Sequence, residues 1–148
     1  MEDVRHYGFE VRRLDHVFAR NLEAKVREKG IDELTLMHGW IIRYLIENQD
    51  KDIYQKDIEK HCSIGRSTVT NILQLMEKNG FIYRENVEKD ARLKRIIPTK
   101  KAEALRPSIL SHINESEAQM TQGISEKDVA VCKQVLLQML QNLSENKL

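Results

Sequence analysis

The chain has 148 residues, of which 41% are hydrophobic and 32% charged, and its formal net charge is +1. This length fits one compact domain, and a charge so close to zero excludes a protein that coats nucleic acid with its whole surface. The charged N-terminus does not resemble a signal peptide, and no apolar run approaches the roughly 20 residues that span a bilayer. We therefore expect a cytoplasmic protein with no membrane partner.

The first three predicted elements are helices. A helix over about residues 2–29 is stopped by Gly30, because glycine enters the left-handed C-cap without strain. Thr35 is the predicted N-cap of a second helix that ends near Asn48, and residues 55–62 form a short third helix. The first helix carries an apolar seam with spacings of three and four residues: Val4, Tyr7, Val11, Leu14, Phe18, Leu22 and Val26.

A helix followed by a hairpin is predicted at the centre of the chain. Gly65 stands at the start of this fourth helix and Gly80 at its end. Strands are expected at residues 81–86 and 92–98, joined by a turn at residues 87–91. At 100° of rotation per residue, one face of the helix is apolar, and it consists of Val69, Ile72, Leu73 and Met76.

Two further helices complete the predicted elements. Thr99 is the expected cap of a fifth helix that runs to about Gln122, in which Pro107 should cause a kink or a break. Gly123 separates it from a last helix capped by Ser125. That helix carries a second seam, made of Val129, Cys132, Leu136, Met139 and Leu143. Seams at both ends of the chain indicate helices that pack against a partner.

The central helix and hairpin together have the features of a DNA-binding unit. The polar side of the helix carries slim side chains, which a major groove about 12 Å wide can admit. Seven basic and three acidic residues between positions 84 and 101 concentrate positive charge at the hairpin. Either feature alone most often marks a solvated surface, but the two in this order favour DNA. The candidate contacts are Arg66, Ser67, Thr68, Thr70, Asn71 and Gln74 on the helix, and Arg92, Lys94 and Arg95 on the hairpin.

These residues resemble the MarR (multiple-antibiotic-resistance regulator) family of bacterial transcription factors over nearly the whole chain. The segments that carry the resemblance are GRSTVTNILQLMEKNGFIYR, DARLKR and PTKKA, which match the family's recognition helix, wing and entry to the next helix. It implies a single MarR-type domain over residues 1–148, mainly α with a small β-hairpin wing. The winged helix-turn-helix part is expected at residues 33–98, and dimerisation helices at residues 1–30 and 99–148.

The resemblance also assigns roles to single residues. It implies that Arg92 enters the minor groove and that Asp90 orients it, while Ser67, Thr68, Thr70 and Asn71 face the major groove. Four positions depart from the family's usual residues, and they are Gly65, Ala91, Pro98 and Ala102. These departures affect individual contacts more than membership of the family.

By family habit, we expect a repressor that binds a pseudo-palindromic operator as a homodimer, without a cofactor or bound metal. Many relatives are released from DNA by a small aromatic effector. Five residues of the first two helices are candidates for such a site: Tyr7, Phe9, His38, Trp40 and Tyr44. The alternative for these five is ordinary packing in the core or at an interface.

Other functions remain open at this point. A protein-interaction adaptor would use the winged fold without binding DNA, and it would lack salt-dependent DNA affinity. Thiol sensing requires an exposed, electropositive cysteine, whereas Cys62 and Cys132 both lie in predicted packed positions. The five histidines are scattered in the sequence, and His38 and His112 are the pair left open as a metal site formed in space. No nucleophile–base pair or phosphate loop indicates an enzyme.

Overall fold

The computed structural model describes residues 6–31, 34–87 and 90–145. These residues form six helices and one two-stranded antiparallel hairpin, so the predicted mainly α fold with a small β-hairpin is confirmed. In chain order the elements are α1 (Tyr7–Glu28), α2 (Leu36–Glu47), α3 (Gln55–Cys62), α4 (Arg66–Lys78), β1 (Ile82–Val87), β2 (Asp90–Pro98), α5 (Lys100–Met120) and α6 (Glu126–Glu145).

The chain comprises two compact units, residues 1–114 and 115–148, and the boundary falls within α5. The first unit contains α1 to α4, the hairpin and most of α5, and the second contains the end of α5 and all of α6. Along the described stretches, none of the helices combines the length and apolar character that crossing a membrane requires.

The core of the first unit is built around the apolar face of α4. Val69, Leu73 and Met76 are fully buried there, one helical turn or so apart, as the sequence spacing predicts. They belong to one cluster with Ile41, Ile42 and Leu45 of α2, Ile58 of α3, and Phe81 and Ile82 at the start of the hairpin. Because this face is buried, the opposite side of α4 is the one that faces outward.

The helix ends follow the predicted signals. Thr35 Oγ1 accepts a hydrogen bond from the backbone N–H of His38 at 3.2 Å, and the backbone N–H of Thr35 donates to His38 Nδ1 at 3.4 Å. Gly30 and Gly80 have φ of +82° and +79°, a region that strains other residues, so the chain turns away after α1 and α4 at these positions.

The hairpin is fixed to the rest of the first unit at its base. The backbone N–H of Ile96 donates to the carbonyl of Ile53 at 2.7 Å, which attaches β2 to the segment before α3. On the other side, Thr99 Oγ1 donates to the carbonyl of Gly80 at 2.6 Å and accepts from the N–H of Ala102 at 3.3 Å. The same threonine therefore closes the hairpin and caps α5.

Two features of the helices differ from a literal interpretation of the sequence. Helix α5 continues through Pro107, so the predicted break does not occur. The apolar seam of α1 is divided, because Leu22 and Val26 are buried, whereas Val11 and Leu14 are exposed. The first residue predicted in that seam, Val4, lies outside the described residues.

A matched pair of substitutions on α4 tests this core. Leu73→Ala should lower the free energy of unfolding by about 2–5 kcal/mol, because it leaves a cavity among fully buried side chains. Leu75→Ala removes the same atoms from a side chain that is 45% exposed, and it should change stability much less. Urea unfolding followed by circular dichroism measures both. Equal losses for the two variants would contradict the assigned orientation of α4.

Candidate DNA-binding surface

The outward side of α4 carries most of the predicted helix contacts. Arg66, Ser67, Thr68, Asn71 and Gln74 are all exposed, as the helical periodicity predicts. None of the neutral residues among them is bulky, and their amide and hydroxyl groups match the donors and acceptors on base edges and phosphates. The outward side of α4 is thus accessible from Arg66 to Gln74.

Thr70 is placed differently from these residues. It is only half exposed, and its hydroxyl donates to the carbonyl of Arg66 at 2.9 Å within α4. The side-chain amide of Gln55, the first residue of α3, donates to Thr70 Oγ1 at 2.8 Å and to the carbonyl of Arg66 at 3.3 Å. Thr70 therefore joins α4 to α3, in addition to any contact with DNA.

The tip of the hairpin presents an arginine held at its base by an aspartate. Asp90 Oδ1 accepts a hydrogen bond from the backbone N–H of Arg92 at 2.9 Å, and it lies 3.6 Å from Arg92 Nε. The side chain of Arg92 is 94% exposed, so its guanidinium extends into solvent. The strand register shifts between Asn86 and Val87, which marks an irregularity next to this tip. An extended, positively charged side chain of this kind suits a narrow minor groove.

Arg95 is directed toward protein carboxylates. Its Nε and Nη2 donate to Glu85, the residue directly opposite it on β1, with Nε at 2.8 Å, and its Nη1 donates to Asp52 at 3.2 Å. The hydrogen bonds that Arg95 donates to Glu85 and, with a smaller effect, to Asp52 raise the pKa of Arg95. These bonds join the two strands to the segment before α3. A DNA contact by Arg95 stays a prediction. It would require the guanidinium to bind DNA in addition to Glu85 and Asp52, or in place of one of them.

The hairpin is also joined to α4, through an ion pair of Arg84. Arg84 Nε lies 3.5 Å from Glu77 Oε2, so β1 is paired with the last turns of the recognition helix. Arg84 is the least exposed arginine among the ion pairs of the hairpin, at 23% of its side chain. The wing and α4 are therefore connected by charge as well as by the short chain between them.

A basic groove of about 390 Å³ lies between α3, the start of α4 and the hairpin. Five cationic side chains and one carboxylate line it, so its local charge is strongly positive although the chain is almost neutral. It brings together Arg66, Thr70, Arg92 and Lys94 of the predicted contacts with Tyr54, Gln55, Lys56, Glu59, Arg84, Leu93 and Ile96. A surface with this positive charge attracts the phosphates of DNA.

Sequence reasoning missed the residues at the start of α3. Gln55 and Lys56 line the basic groove, but no periodicity marks them, because they lie at a helix terminus. Tyr54 is the N-cap of α3, and its backbone N–H donates to Asp57 at 2.9 Å, which sets the position of this terminus. The order of the elements could have indicated these residues. Helix α3 directly precedes α4, so its first turn is placed beside the start of α4.

A second groove, of about 450 Å³, lies between α2 and α3. Its lining consists of Met37, Trp40, Arg43, Tyr44, Glu47, His61 and Cys62. The rings of Tyr44 and His61 are stacked with centroids 4.0 Å apart and an angle of 15° between their planes. Trp40 and Tyr44 were predicted effector contacts, and the groove brings these two together.

The other three predicted effector residues lie elsewhere. His38 is buried, caps α2 through its Nδ1 and lies 6.4 Å from the Phe81 ring between centroids. Tyr7 and Phe9 are at the start of α1, and Tyr7 is 81% exposed. The described lining of the second groove includes none of these three, so their effector role stays a prediction.

Two residues that line the second groove, Tyr44 and Cys62, have a raised pKa. Burial raises the pKa of the Cys62 thiol, which lowers its thiolate fraction at neutral pH and makes it less reactive than a free cysteine. Burial, followed by the charges of Asp57 and Cys62, raises the pKa of Tyr44. Cys132 is exposed on α6, in contrast to the packed position predicted for it. Within the described ranges, no three histidine, cysteine or acidic residues are grouped to hold a metal ion.

The order of elements, the polar face of α4 and the paired hairpin behind it define a winged helix-turn-helix protein. A family model described as MarR family matches residues 33–93. Among solved structures, the transcription regulator MarR from Oenococcus oeni PSU-1 is 31% identical with a TM-score of 0.72, and the match covers 92% of this chain and 99% of that one. The chain belongs to the MarR family of transcription regulators.

Two other solved structures illustrate the range of similar proteins. A MepR–DNA complex from S. aureus is 27% identical with a TM-score of 0.82, and it covers 94% of this chain and 98% of its own. The heme sensor protein PefR from Streptococcus agalactiae, solved with heme, is 25% identical with a TM-score of 0.66 and covers 96% and 95%. One of these similar structures was solved with DNA and the other with a ligand.

Proposed function

We propose that this protein is a homodimeric DNA-binding regulator that represses transcription from a pseudo-palindromic operator. The observation that carries the proposal is the basic groove, in which Arg66 of α4 and Arg92 and Lys94 of the wing converge. A positive surface with a slim polar helix beside it combines phosphate attraction with access to base edges. The MarR-family membership supports the same function.

In this proposal the two parts of the surface have different tasks. Asn71 and the hydroxyls near the start of α4 read bases in the major groove, while Arg92, steadied by Asp90, enters the adjacent minor groove. Lys94 and Arg66 bind phosphates. Gln74, two turns into α4, lies toward the end of the base-reading face, where contact depends on how deeply the helix enters the groove.

The wing is tested by Arg92→Ala. DNA affinity should fall, and the slope of log affinity against log salt should decrease by up to about one, because one cationic contact with DNA is lost. Fluorescence anisotropy with duplexes selected by the wild-type protein from a random library measures both quantities. Arg43→Ala is the matched control, since it removes an arginine that is ion-paired with Glu47 on α2 and outside the basic groove.

Equal behaviour of Arg92→Ala and Arg43→Ala would remove the wing from DNA binding. Failure of the wild-type protein to enrich any duplex, together with salt-independent binding, would favour the alternative of a protein-interaction adaptor.

If the protein is a repressor, expression of a reporter should fall when the selected sequence is placed over the promoter of that reporter.

The proposed dimer is supported by apolar side chains that the single chain leaves exposed. On α1 these include Val11, Leu14 and Val17, and on α6 they include Val135, Leu136 and Leu140. A protein in solution rarely exposes so many large aliphatic residues on one helix, so a partner surface is expected. A twofold dimer would place two recognition helices about one turn of DNA apart.

Leu136→Glu should dissociate the proposed dimer, because it places a carboxylate in the predicted seam of α6. Gln134→Glu adds the same charge on the opposite side of the helix and should leave the dimer intact. Sedimentation velocity at micromolar concentration distinguishes the two states. A wild-type monomer, or a dimer that survives Leu136→Glu, would contradict this part of the proposal.

The second groove supports regulation by a small aromatic ligand. Trp40, Tyr44 and Met37 supply the apolar and aromatic surface that such a molecule needs, and Arg43 and Glu47 supply polar groups at the edge. Because α3 forms one wall and also precedes the recognition helix, a ligand that moves α3 alters the DNA-binding surface. Binding of this kind would release the operator.

Ligand binding in the second groove can be measured directly by tryptophan fluorescence, because Trp40 lines the groove and is the one tryptophan of the sequence. Titration with an aromatic acid such as benzoate should change its fluorescence in a saturable manner, and operator release should follow the same concentration dependence. Tyr44→Ala should weaken both effects, whereas Tyr7→Ala should not, because Tyr7 is outside the groove. The reverse order of the two variants would contradict a site in this groove and would favour binding at the start of α1, where Tyr7 and Phe9 of the five predicted effector residues lie.

A further inference from the structure

A single side chain from α3 contacts the first turn of the recognition helix at two points. Gln55 Nε2 is 2.8 Å from Thr70 Oγ1 and 3.3 Å from the carbonyl oxygen of Arg66. Thr70 Oγ1 is itself 2.9 Å from that carbonyl, so the three groups form a closed triangle of hydrogen bonds. Residues 55 and 70 belong to different helices, and the triangle therefore connects α3 to α4.

The direction of each bond follows from the donors available. A carbonyl only accepts, so the hydroxyl proton of Thr70 is donated to Arg66. A glutamine amide nitrogen carries two protons, which suffice for the Thr70 oxygen and the Arg66 carbonyl together. Glutamine therefore meets both acceptors at once, whereas glutamate has no proton to give when ionised.

This triangle changes what Thr70 can offer to DNA. Its one proton and one of its lone pairs are used within the protein, so the hydroxyl has no proton left for a base or a phosphate. The groups that remain are the γ-methyl and one acceptor position. Base reading by donation must then come from the neighbouring exposed residues Ser67, Thr68 and Asn71.

The first turn of α4 is packed on the core through Val69, but its N-terminus lacks a capping side chain within the described part of the chain. Its N-cap is Gly65, and no side chain of the described residues caps the helix there. Ser63, two residues before Gly65, adopts a left-handed conformation with φ of 55°, so a short turn leads into α4. Gln55 does not accept from the free N–H groups at this helix end, but its two donated hydrogen bonds attach the start of α4 to α3.

From this geometry we propose that Gln55 is a positioning residue for sequence recognition, which acts through the Thr70 hydroxyl rather than through contact with DNA. The inference rests on the proposed function as a DNA-binding regulator. Gln55 sets the angle and depth at which the first turn of α4 meets the bases. Its loss should therefore reduce discrimination between sequences more than it reduces attraction to phosphates.

A double-mutant cycle tests this role. Gln55→Met keeps the length and loses the amide, and Thr70→Val keeps the shape and loses the hydroxyl. Gln55→Met alone should reduce the ratio of selected-duplex affinity to scrambled-duplex affinity about three- to tenfold, as expected for loss of neutral hydrogen bonds. In the Thr70→Val background its further effect should be much smaller, because the bond to Thr70 is already absent and only the longer bond to the Arg66 carbonyl, at 3.3 Å, remains to be lost.

Thr70→Ser provides the conservative rescue. It retains the hydroxyl, so Gln55→Met should again cost three- to tenfold in this background. A purely structural role would lower the melting temperature and weaken both duplexes alike, which leaves the affinity ratio unchanged. A direct contact between Gln55 and DNA would give the same loss in all three Thr70 backgrounds. Either result would overturn the proposal.

Hydrogen exchange provides a readout without DNA. Peptides that cover residues 66–70 should exchange faster in Gln55→Met than in wild type, whereas in the Thr70→Val background the Gln55 change should add a much smaller increase, because only the bond to the Arg66 carbonyl remains to be lost. Unchanged exchange in Gln55→Met overturns the inference, whatever DNA is bound. Faster exchange in a protein whose wild type selects no duplex means that the proposed function has failed, and that the triangle is only structural.

Discussion

Burial of one face of α4 is the constraint on which the rest of the DNA-binding surface depends. Val69, Leu73 and Met76 have no exposed area, so the helix cannot rotate without bringing apolar side chains into water. That rotation is fixed by packing against α2, α3 and the start of the hairpin. The polar face is therefore positioned by the core beneath it, and the residues that face DNA are free to vary in chemistry without loss of the fold.

The net charge of this protein is only +1, although 32% of its residues are charged, so the placement of the charges decides their effect. The wing contains several arginines, but Arg84 and Arg95 are paired with Glu77, Glu85 and Asp52, which fix the strands to α4 and to the segment before α3. Arg92 is left extended at the tip. A nearly neutral chain thus uses Arg84 and Arg95 in ion pairs within the protein. It also concentrates five cations, including Arg84, at the basic groove.

The sequence was sufficient for the elements and for the exposed face of α4, because both follow from periodicity and from strong local signals. Thr35, Gly30, Gly80 and Thr99 ended or began helices where expected, since each acts on its own backbone. The partners of Arg95 and the role of Gln55 were not predictable, because they depend on contacts between residues 10 to 43 positions apart. Of the two outcomes expected at Pro107, a kink or a break, the break does not occur, because α5 runs on through the proline.

The same limits applied to the candidate effector site. Trp40 and Tyr44 are one turn apart on α2, so the sequence placed them together, and the structure does the same. His38 is also close in sequence, but its ring is used to cap the helix and to contact Phe81. A helical spacing alone does not distinguish a side chain that lines a groove from one that is turned into the core.

Gly39 lies at a close contact between α2 and α5, where even a small side chain would disturb the packing. A Cβ at this position would lie 3.2 Å from Ile109 Cγ2, so α2 and α5 are as close as a side chain of hydrogen permits. A single methyl group would favour helix formation by about 1 kcal/mol and would at the same time force these helices or the isoleucine apart by a few tenths of an ångström. At position 39, therefore, one added carbon atom requires a small movement of α2, of α5 or of the Ile109 side chain. Helix α2 packs beneath α4, and α5 belongs to the proposed dimer layer.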